Sequence, residues 1–418
     1  MTERIEYKGY WFLPNKPEEK VAGILTFIPR ERISLELLGS FENCNTAVEA
    51  FFKKKEEKVI HGITSEAKQI TLIYCYPSGS VNPSSTFPII KYSCQYLIIG
   101  KHLLSLQQPS FFKASILFPS LTQWCHPVAL KNVYGFNEKG KIKTVTISFN
   151  IDNEKNEDTL NASQIDENTC LYLKKGINYN GSENFLNPKL EQYTLFEIEK
   201  QTDSSIVEYL TNMLLYAQFL SLATLDSVEC SKIYLYDKDL LQELEDGDKI
   251  YHPVELIYIQ RNTENTNSPS KKYDFLFDYD TIKDQYSQII KKWFTEKEDI
   301  APIRSHLIES IKSKRIFSSI DFLIVIQALE GFCCRFRKED TLTNMLQNII
   351  SEFSSIDKIK NDNISIKEVV DSRHYYSHFM NKSKKPLTKD GLELYELTHK
   401  LRKLLICCLL HFIGFDYF

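Results

Sequence analysis

The sequence is sparing in the features that announce a chemistry. Its 10 cysteines include no CxxC pair, so neither a zinc ribbon nor a dithiol redox centre is expected. No HExxH, Walker A loop or GxGxxG occurs, which removes the zinc-protease, P-loop and dinucleotide-binding readings. The longest apolar run, 404–415, is too short to span a bilayer and contains His411. The opening MTERIEYKGYWF is charged from the start and has no apolar signal segment. A soluble, cytoplasmic protein with reduced thiols is therefore expected. Glycine is scarce, 14 residues against 23 Tyr and 26 Phe, which favours packed strands and helices over long flexible linkers. A large charge surplus is also missing: the formal net charge is −4, so the chain is not coated throughout for a polyanion.

What is present points to at least two domains, because 418 residues exceed the size at which one core keeps growing. The charge divides unevenly. Residues 276–418 carry 22 Lys and Arg against 20 Asp and Glu, a surplus of two, leaving 29 against 35 in the remainder. A polyanion would thus prefer the C-terminal part, if only slightly.

The first 200 residues read as β structure. Short runs such as VAGILTFI, RISLELLGSF, QITLIYCY and KTVTISFN are rich in Val, Ile, Thr and aromatics. Turns are expected at Pro77-Ser78-Gly79-Ser80 and Asn137-Glu138-Lys139-Gly140, and a polar surface loop over 153–168. This pattern predicts an antiparallel sandwich or barrel-like sheet. Apolar residues at helical spacing (Ile206, Leu210, Leu214, Phe219, Leu222) predict one long helix over 204–225. Strands resume with KIYLY, VELIYIQ and YDFLFDY, the last two separated by a polar loop over 261–272. The domain boundary is placed near Tyr279, giving a β-rich region over 1–279 and a helical one over 280–418.

Beyond that boundary the spacing predicts an all-helical bundle of four to six helices. Ile282, Tyr286, Ile289, Ile290, Trp293 and Phe294 share one helix face. Further helices are predicted over 322–336, 342–353 and 392–410. Ser365 with Glu368 fits a capping box and marks another helix start. The adjacent pairs Cys333–Cys334 and Cys407–Cys408 read as small buried hydrophobes.

In the helix opened by Ser365 lies DSRHYYSHF, residues 371–379, with Arg373 and His378 separated by four residues and the polar His374 directly after the arginine. A basic stretch, Lys382-Ser383-Lys384-Lys385, follows. An arginine, a polar residue, a few variable positions and a histidine near the end of a helical bundle resemble the signature of the HEPN superfamily. Ala328-Leu329-Glu330 in an earlier helix resembles the ApeA-like HEPN group. The opening GYWFLPNKPEEKVAGILTFIPRERISLELLGSF is similar to the N-terminal domain of ApeA proteins. The segment from about residue 45 to 280 carries no such likeness.

The residue types suit RNA cleavage. RNA brings its own nucleophile, the 2′-hydroxyl, so the protein need only move protons and stabilise charge on phosphorus. A histidine with an ordinary pKa of ~6.5 can do the first and an arginine fork the second. The resemblance implies a metal-independent and cofactor-free endoribonuclease leaving a 2′,3′-cyclic phosphate and a 5′-hydroxyl. It further implies an effector of abortive antiphage defence that cuts host RNA, with tRNA as one candidate. A phage-derived trigger and a HEPN homodimer or larger assembly are implied as well. His374 either orients the phosphate or His378, or has a structural duty. Glu330 either holds Arg373 or makes an ion pair without catalytic meaning. Tyr375 and Tyr376 either stack on a base or are buried, and Lys382, Lys384 and Lys385 are candidate phosphate contacts. Five positions along an α-helix turn the chain by ~140°, so Arg373 and His378 do not share a regular helix face. Their convergence calls for a distorted helix end or groups from a second chain. The last helix, with Leu404, Leu405, Leu409 and Phe412, has apolar surface for its own bundle or for a partner. The alternative function is a non-catalytic HEPN module that binds a protein or nucleic-acid partner.

Remaining candidates have bland readings. Asp274, Asp278 and Asp280 would share one face of an extended strand but lack the spacing of a calcium loop. Trp124-Cys125-His126-Pro127 has no partner at metal-ligand spacing, and His61, His102 and His252 stand alone in the sequence.

Overall fold

Residues that alternate between core and solvent build the N-terminal region. Leu25 and Phe27 on strand β2 (Val21–Ile28) and Ile33, Leu35 and Leu37 on β3 (Arg32–Leu38) occupy every second position, and all are buried. With β1 (Ile5–Phe12), β4 (Lys58–Thr64), β5 (Gln69–Val81) and β6 (Ile89–Cys94) they close a six-stranded antiparallel barrel. Its pairs run β1–β2, β2–β3, β3–β6, β6–β5, β5–β4 and β4–β1. Closure pairs every strand edge. Trp11 is fully buried in this core, and Gly62 on the neighbouring strand makes room for it. A Cβ at Gly62 would stand 2.4 Å from Cε3 and Cζ3 of the indole.

The structure, a computed structural model, describes residues 4–41, 58–81, 88–126, 130–149, 158–180, 189–244, 247, 249–260, 275–313, 318–338, 341–356, 359 and 362–415. The chain divides into two units. The first comprises Met1–Ala162, Asp166–Met213 and Glu229–Pro269, the second Ser163–Ile165, Leu214–Val228 and Ser270–Phe418. After the barrel strands come β7 (Tyr96–Ile99), β8 (Phe111–Leu117), helix α1 (Pro119–Cys125) and the hairpin β9 (Leu130–Phe136) and β10 (Ile142–Phe149). Then follow β11 (Thr159–Gln164), β12 (Thr169–Asn180), β13 (Lys189–Ser204), helix α2 (Ile206–Thr224), β14 (Lys232–Glu243) and β15 (Lys249–Tyr258). Among the described residues thirteen strands form one sheet, in the order β11-β12-β13-β8-β14-β15-β7-β5-β4-β1-β2-β3-β6.

Several expectations change here. The turn predicted at Pro77–Ser80 lies inside β5, where the register shifts between Pro77 and Gly79. A bulge accommodates the missing proline N–H, so turn-forming residues serve a bend within a strand. The loop expected over 153–168 contains β11 in its described part, and 153–157 lie outside the described residues. Asn137 does make its turn, its Oδ1 accepting from the backbone N–H groups of Lys139 and Lys141. His61 and His102 are not alone. Their rings stack 4.4 Å apart at 2°, with Phe12 edge-on to both, and their Nε2 atoms donate to the carbonyls of Leu103 and Gly62. His252 lies within hydrogen-bond distance of Gln242. The loop over 261–272, Tyr273, Asp274 and Pro127 lie outside the described residues.

The second unit is helical. The strand predicted at YDFLFDY is absent in its described part. Asp278 instead caps helix α3 (Tyr279–Ile282), accepting from the backbone and hydroxyl of Thr281 at 3.0 and 2.6 Å. There follow α4 (Tyr286–Thr295), α5 (Lys297–Lys312), α6 (Ser319–Phe336), α7 (Leu342–Glu352), α8 (Ile366–His378) and α9 (Gly391–Phe412). That makes seven helices from Tyr279 onward among the described residues, one more than the upper expectation. The helix that sequence reading lacks is α5, whose interior Pro302 and charged opening hide it. Trp293, Leu307, Phe322, Leu329, Leu346 and Leu401 belong to the core of this unit. Leu404, Leu405 and Leu409 are fully buried within their own chain, and Phe412 packs 4.6 Å from Phe336. Residues 214–224 of α2 join the same unit: Trp293 Nε1 donates to the Leu215 carbonyl at 2.8 Å. Cys333, Cys407 and Cys408 are buried as expected, whereas Cys334 is exposed. No helix among the described residues is long and apolar enough to cross a membrane.

Candidate active site

Helix α8 begins where the capping-box residues predicted, yet the box does not form. Ser365 is extended at the N-cap with no side-chain bond, and Glu368 turns instead to Lys389, 3.3 Å away. Val369 and Ser372 supply the helix's buried contacts. Its C-terminus stops at His378 because Phe379 adopts a left-handed conformation, φ 53° and ψ 36°.

That ending brings Arg373 and His378 together. Arg373 Nη1 lies 2.6 Å from His378 Nε2. The ~140° separation is spanned because His378 is the last helical residue and the arginine side chain is long. Convergence thus needs no second chain. Guanidinium nitrogens have no lone pair to accept with, so Arg373 donates and His378 Nε2 stands unprotonated in this contact. On its other side the guanidinium meets Glu330 of α6, with Nε 3.2 Å from Oε1 and Nη2 3.5 Å from Oε2. One N–H on each terminal nitrogen is left for a phosphate oxygen.

His374 packs beside the pair, its ring 5.8 Å from that of His378. Its Nδ1 is buried without a hydrogen-bond partner among the described residues. Desolvation, then the charges of Lys385, Arg373 and His378, hold its pKa below the ordinary value. The remaining candidates separate. Tyr376 is half-buried, donates its hydroxyl to the Lys389 carbonyl at 3.1 Å and packs edge-on against Phe322. Tyr375 stands at right angles to Tyr376, 4.8 Å between centroids. The basic stretch forms a 3₁₀ turn at Lys382–Lys384. Lys382 pairs with Asp390 and Lys385 with Asp371, while Lys384 forms no ion pair among the described residues.

Sequence reading missed three contributors. Asp371 and Ser372, just before the arginine, anchor the returning chain: Asp371 Oδ2 accepts from Leu387 N at 3.3 Å and Ser372 Oγ from Lys389 N at 2.9 Å. The third is Phe379, a large aromatic at a helix end where glycine or asparagine is usual, which is the signal that could have found it.

A β-barrel region followed by a helical unit that holds an Arg-His pair on its penultimate long helix is the arrangement the HEPN resemblance implies. Comparison with known families agrees. The family described as ApeA N-terminal domain 1 matches residues 6–293, and that described as Apea-like HEPN matches residues 257–417. The chain belongs to the ApeA-like HEPN family. No curated protein and no solved structure matches it significantly. HEPN domains are generally ribonucleases that commonly dimerise, and the two matches support a HEPN-type antiphage effector.

Proposed function

We propose that the chain is a metal-independent endoribonuclease acting as the effector of abortive infection, with host RNA, tRNA among the candidates, as substrate. The observation that carries this reading is the 2.6 Å contact between Arg373 Nη1 and His378 Nε2, with Glu330 behind the guanidinium. An incoming phosphate competes for the guanidinium and releases the Nε2 lone pair. His378 then takes the proton from the 2′-hydroxyl and O2′ attacks phosphorus. The P–O5′ bond breaks, giving a 2′,3′-cyclic phosphate and, once the leaving oxygen is protonated, a 5′-hydroxyl. Arg373 favours the charge that builds on the phosphate oxygens. In a dimer with both pairs facing one cleft, a second copy of His378 would supply the leaving-group proton. In this reading the region up to about residue 279 senses the phage-derived trigger and restrains the effector. A fragment covering 276–418 should then be more toxic than the full chain; equal or lower toxicity from a folded fragment would count against restraint.

The test is sequencing of RNA ends from cells expressing the wild-type chain, Arg373→Ala or His378→Ala, paired with purified protein in EDTA. Each substitution should lower cleavage ~10²–10⁴-fold with circular dichroism unchanged. EDTA should leave cleavage and its cyclic phosphate ends intact. Undiminished cleavage in a folded variant, or a strict Mg²⁺ requirement with 5′-phosphate products, would sink the reading.

A further inference from the structure

Phe379 follows His378 directly, with its Cα about 3.8 Å from that of the histidine. It is 90% exposed, and no ring, cation or hydrogen-bond partner engages it among the described residues. Its backbone is left-handed, a conformation that disfavours bulky side chains. Two unfavourable features therefore coincide at one residue, with no compensating contact inside the described chain. Such strain beside a reacting group points to a role with a ligand. The surroundings indicate which. Ser377, His378, Asn381 and Lys382 are polar, Met380 is the apolar neighbour, and the basic turn at Lys382–Lys384 follows. Phe379 and the 41% exposed Met380 make a small apolar patch bordered in sequence by polar and cationic residues, unlike the continuous apolar core of a stable interface between copies. An aromatic face beside cations is the combination that holds an unpaired nucleobase together with its phosphates.

We propose that Phe379 is a specificity-determining residue whose ring stacks on a nucleobase flanking the scissile phosphate, so that cleavage selects bonds beside an unstacked base. The inference rests on the ribonuclease reading of Arg373 and His378. Stacking explains why the helix ends on a phenylalanine: the left-handed turn lifts the ring off the bundle.

The experiment uses the full chain and labelled single-stranded oligoribonucleotides of mixed sequence. The oligonucleotide that is cut is then remade with an abasic nucleotide on either side of the cleaved bond. Variants are Phe379→Gly, which suits the left-handed backbone and so keeps the helix end, Phe379→Leu and Phe379→Trp. In the wild type, one abasic position should lower kcat/KM about 10-fold or more, the range expected for one stacked base. Phe379→Gly should lose a similar factor on the intact oligonucleotide, and its abasic penalty should shrink to within about twofold. Phe379→Trp should retain both activity and penalty, and Phe379→Leu should fall between. Wild-type rates from Phe379→Gly, or an abasic penalty that persists in it, would overturn the proposal. So would a Phe379→Gly defect that light scattering traces to loss of a dimer and that high protein concentration repairs, since the ring would then belong to a contact between copies. Those outcomes leave the site itself intact. A wild-type chain that cuts no RNA, or a His378→Ala variant that cuts as well as wild type, would overturn the ribonuclease reading and this proposal with it.

Discussion

Glu330→Ala releases the guanidinium of Arg373 from α6 while leaving both Arg373 and His378 in place. The two contacts are 3.2 Å, within hydrogen-bond range, and 3.5 Å, at its limit. At 3.2 Å a pair of unit charges gains about 1.3 kcal/mol in water-like surroundings. The side chains are 25% and 22% exposed, so solvent screens the pair and the gain stays near that floor, on the order of 1–2 kcal/mol. Without Glu330 the arginine regains rotamers that point away from His378. If all of that free energy orients the guanidinium, cleavage should fall roughly 5–30-fold, since each ~1.4 kcal/mol is a factor of ten in rate. Glu330→Gln keeps a carbonyl acceptor and should lose less. Arg373→Ala should lose at least ~10²-fold, as for removal of an oxyanion donor, within the ~10²–10⁴-fold range given above. Single-turnover cleavage at saturating protein, with circular dichroism alongside, reads all three. Wild-type rates from a folded Glu330→Ala would show that the ion pair has no catalytic meaning. A loss as deep as that of Arg373→Ala, accompanied by lost helicity, would make Glu330 a bundle residue instead.

Two further predictions concern the barrel. Gly62→Ala would place a Cβ 2.4 Å from the buried Trp11 ring and should destabilise the protein by about 2 kcal/mol, seen as a lower melting temperature. An unchanged melt would mean that the indole has room to shift. His61 has its pKa lowered from 6.5, first by burial, against the raising effect of the Leu103 carbonyl and with a further lowering by stacked His102. The unfolded chain therefore takes up the proton first as pH falls. Stability is fully present above 6.5 and is lost as pH falls from 6.5 through the folded value. His374 and His399, also lowered chiefly by desolvation, act with the same sign. His61→Gln should flatten the fall in unfolding midpoint between about pH 6.5 and 5, and an unaltered slope would remove His61 from the account.

Much of this protein is legible in the residues alone, where the information is local. Alternation along VAGILTFI and RISLELL requires strands with one buried face, and the spacing from Ile282 to Phe294 requires helix, because side-chain direction repeats every two or 3.6 residues whatever the rest of the chain does. The order Arg373, His374, His378 and the chemistry of those groups are likewise local, and they suffice to suggest phosphate work. Folding in three dimensions decides what periodicity cannot express. Pro77 and Gly79 read as a turn, but closing the barrel makes them a bulge. His61 and His102, 41 positions apart, become a stack because the segment after β7 returns to β4, where each ring bonds a carbonyl of the other's segment. The apolar face of α9 is buried in its own bundle, a choice between self and partner that its composition left open. At the site, helical geometry sets Arg373 and His378 ~140° apart, and a long side chain at a terminating helix brings them within 2.6 Å. Residue identity carries chemistry and local direction, whereas approach between distant groups depends on where each element ends and what it packs against.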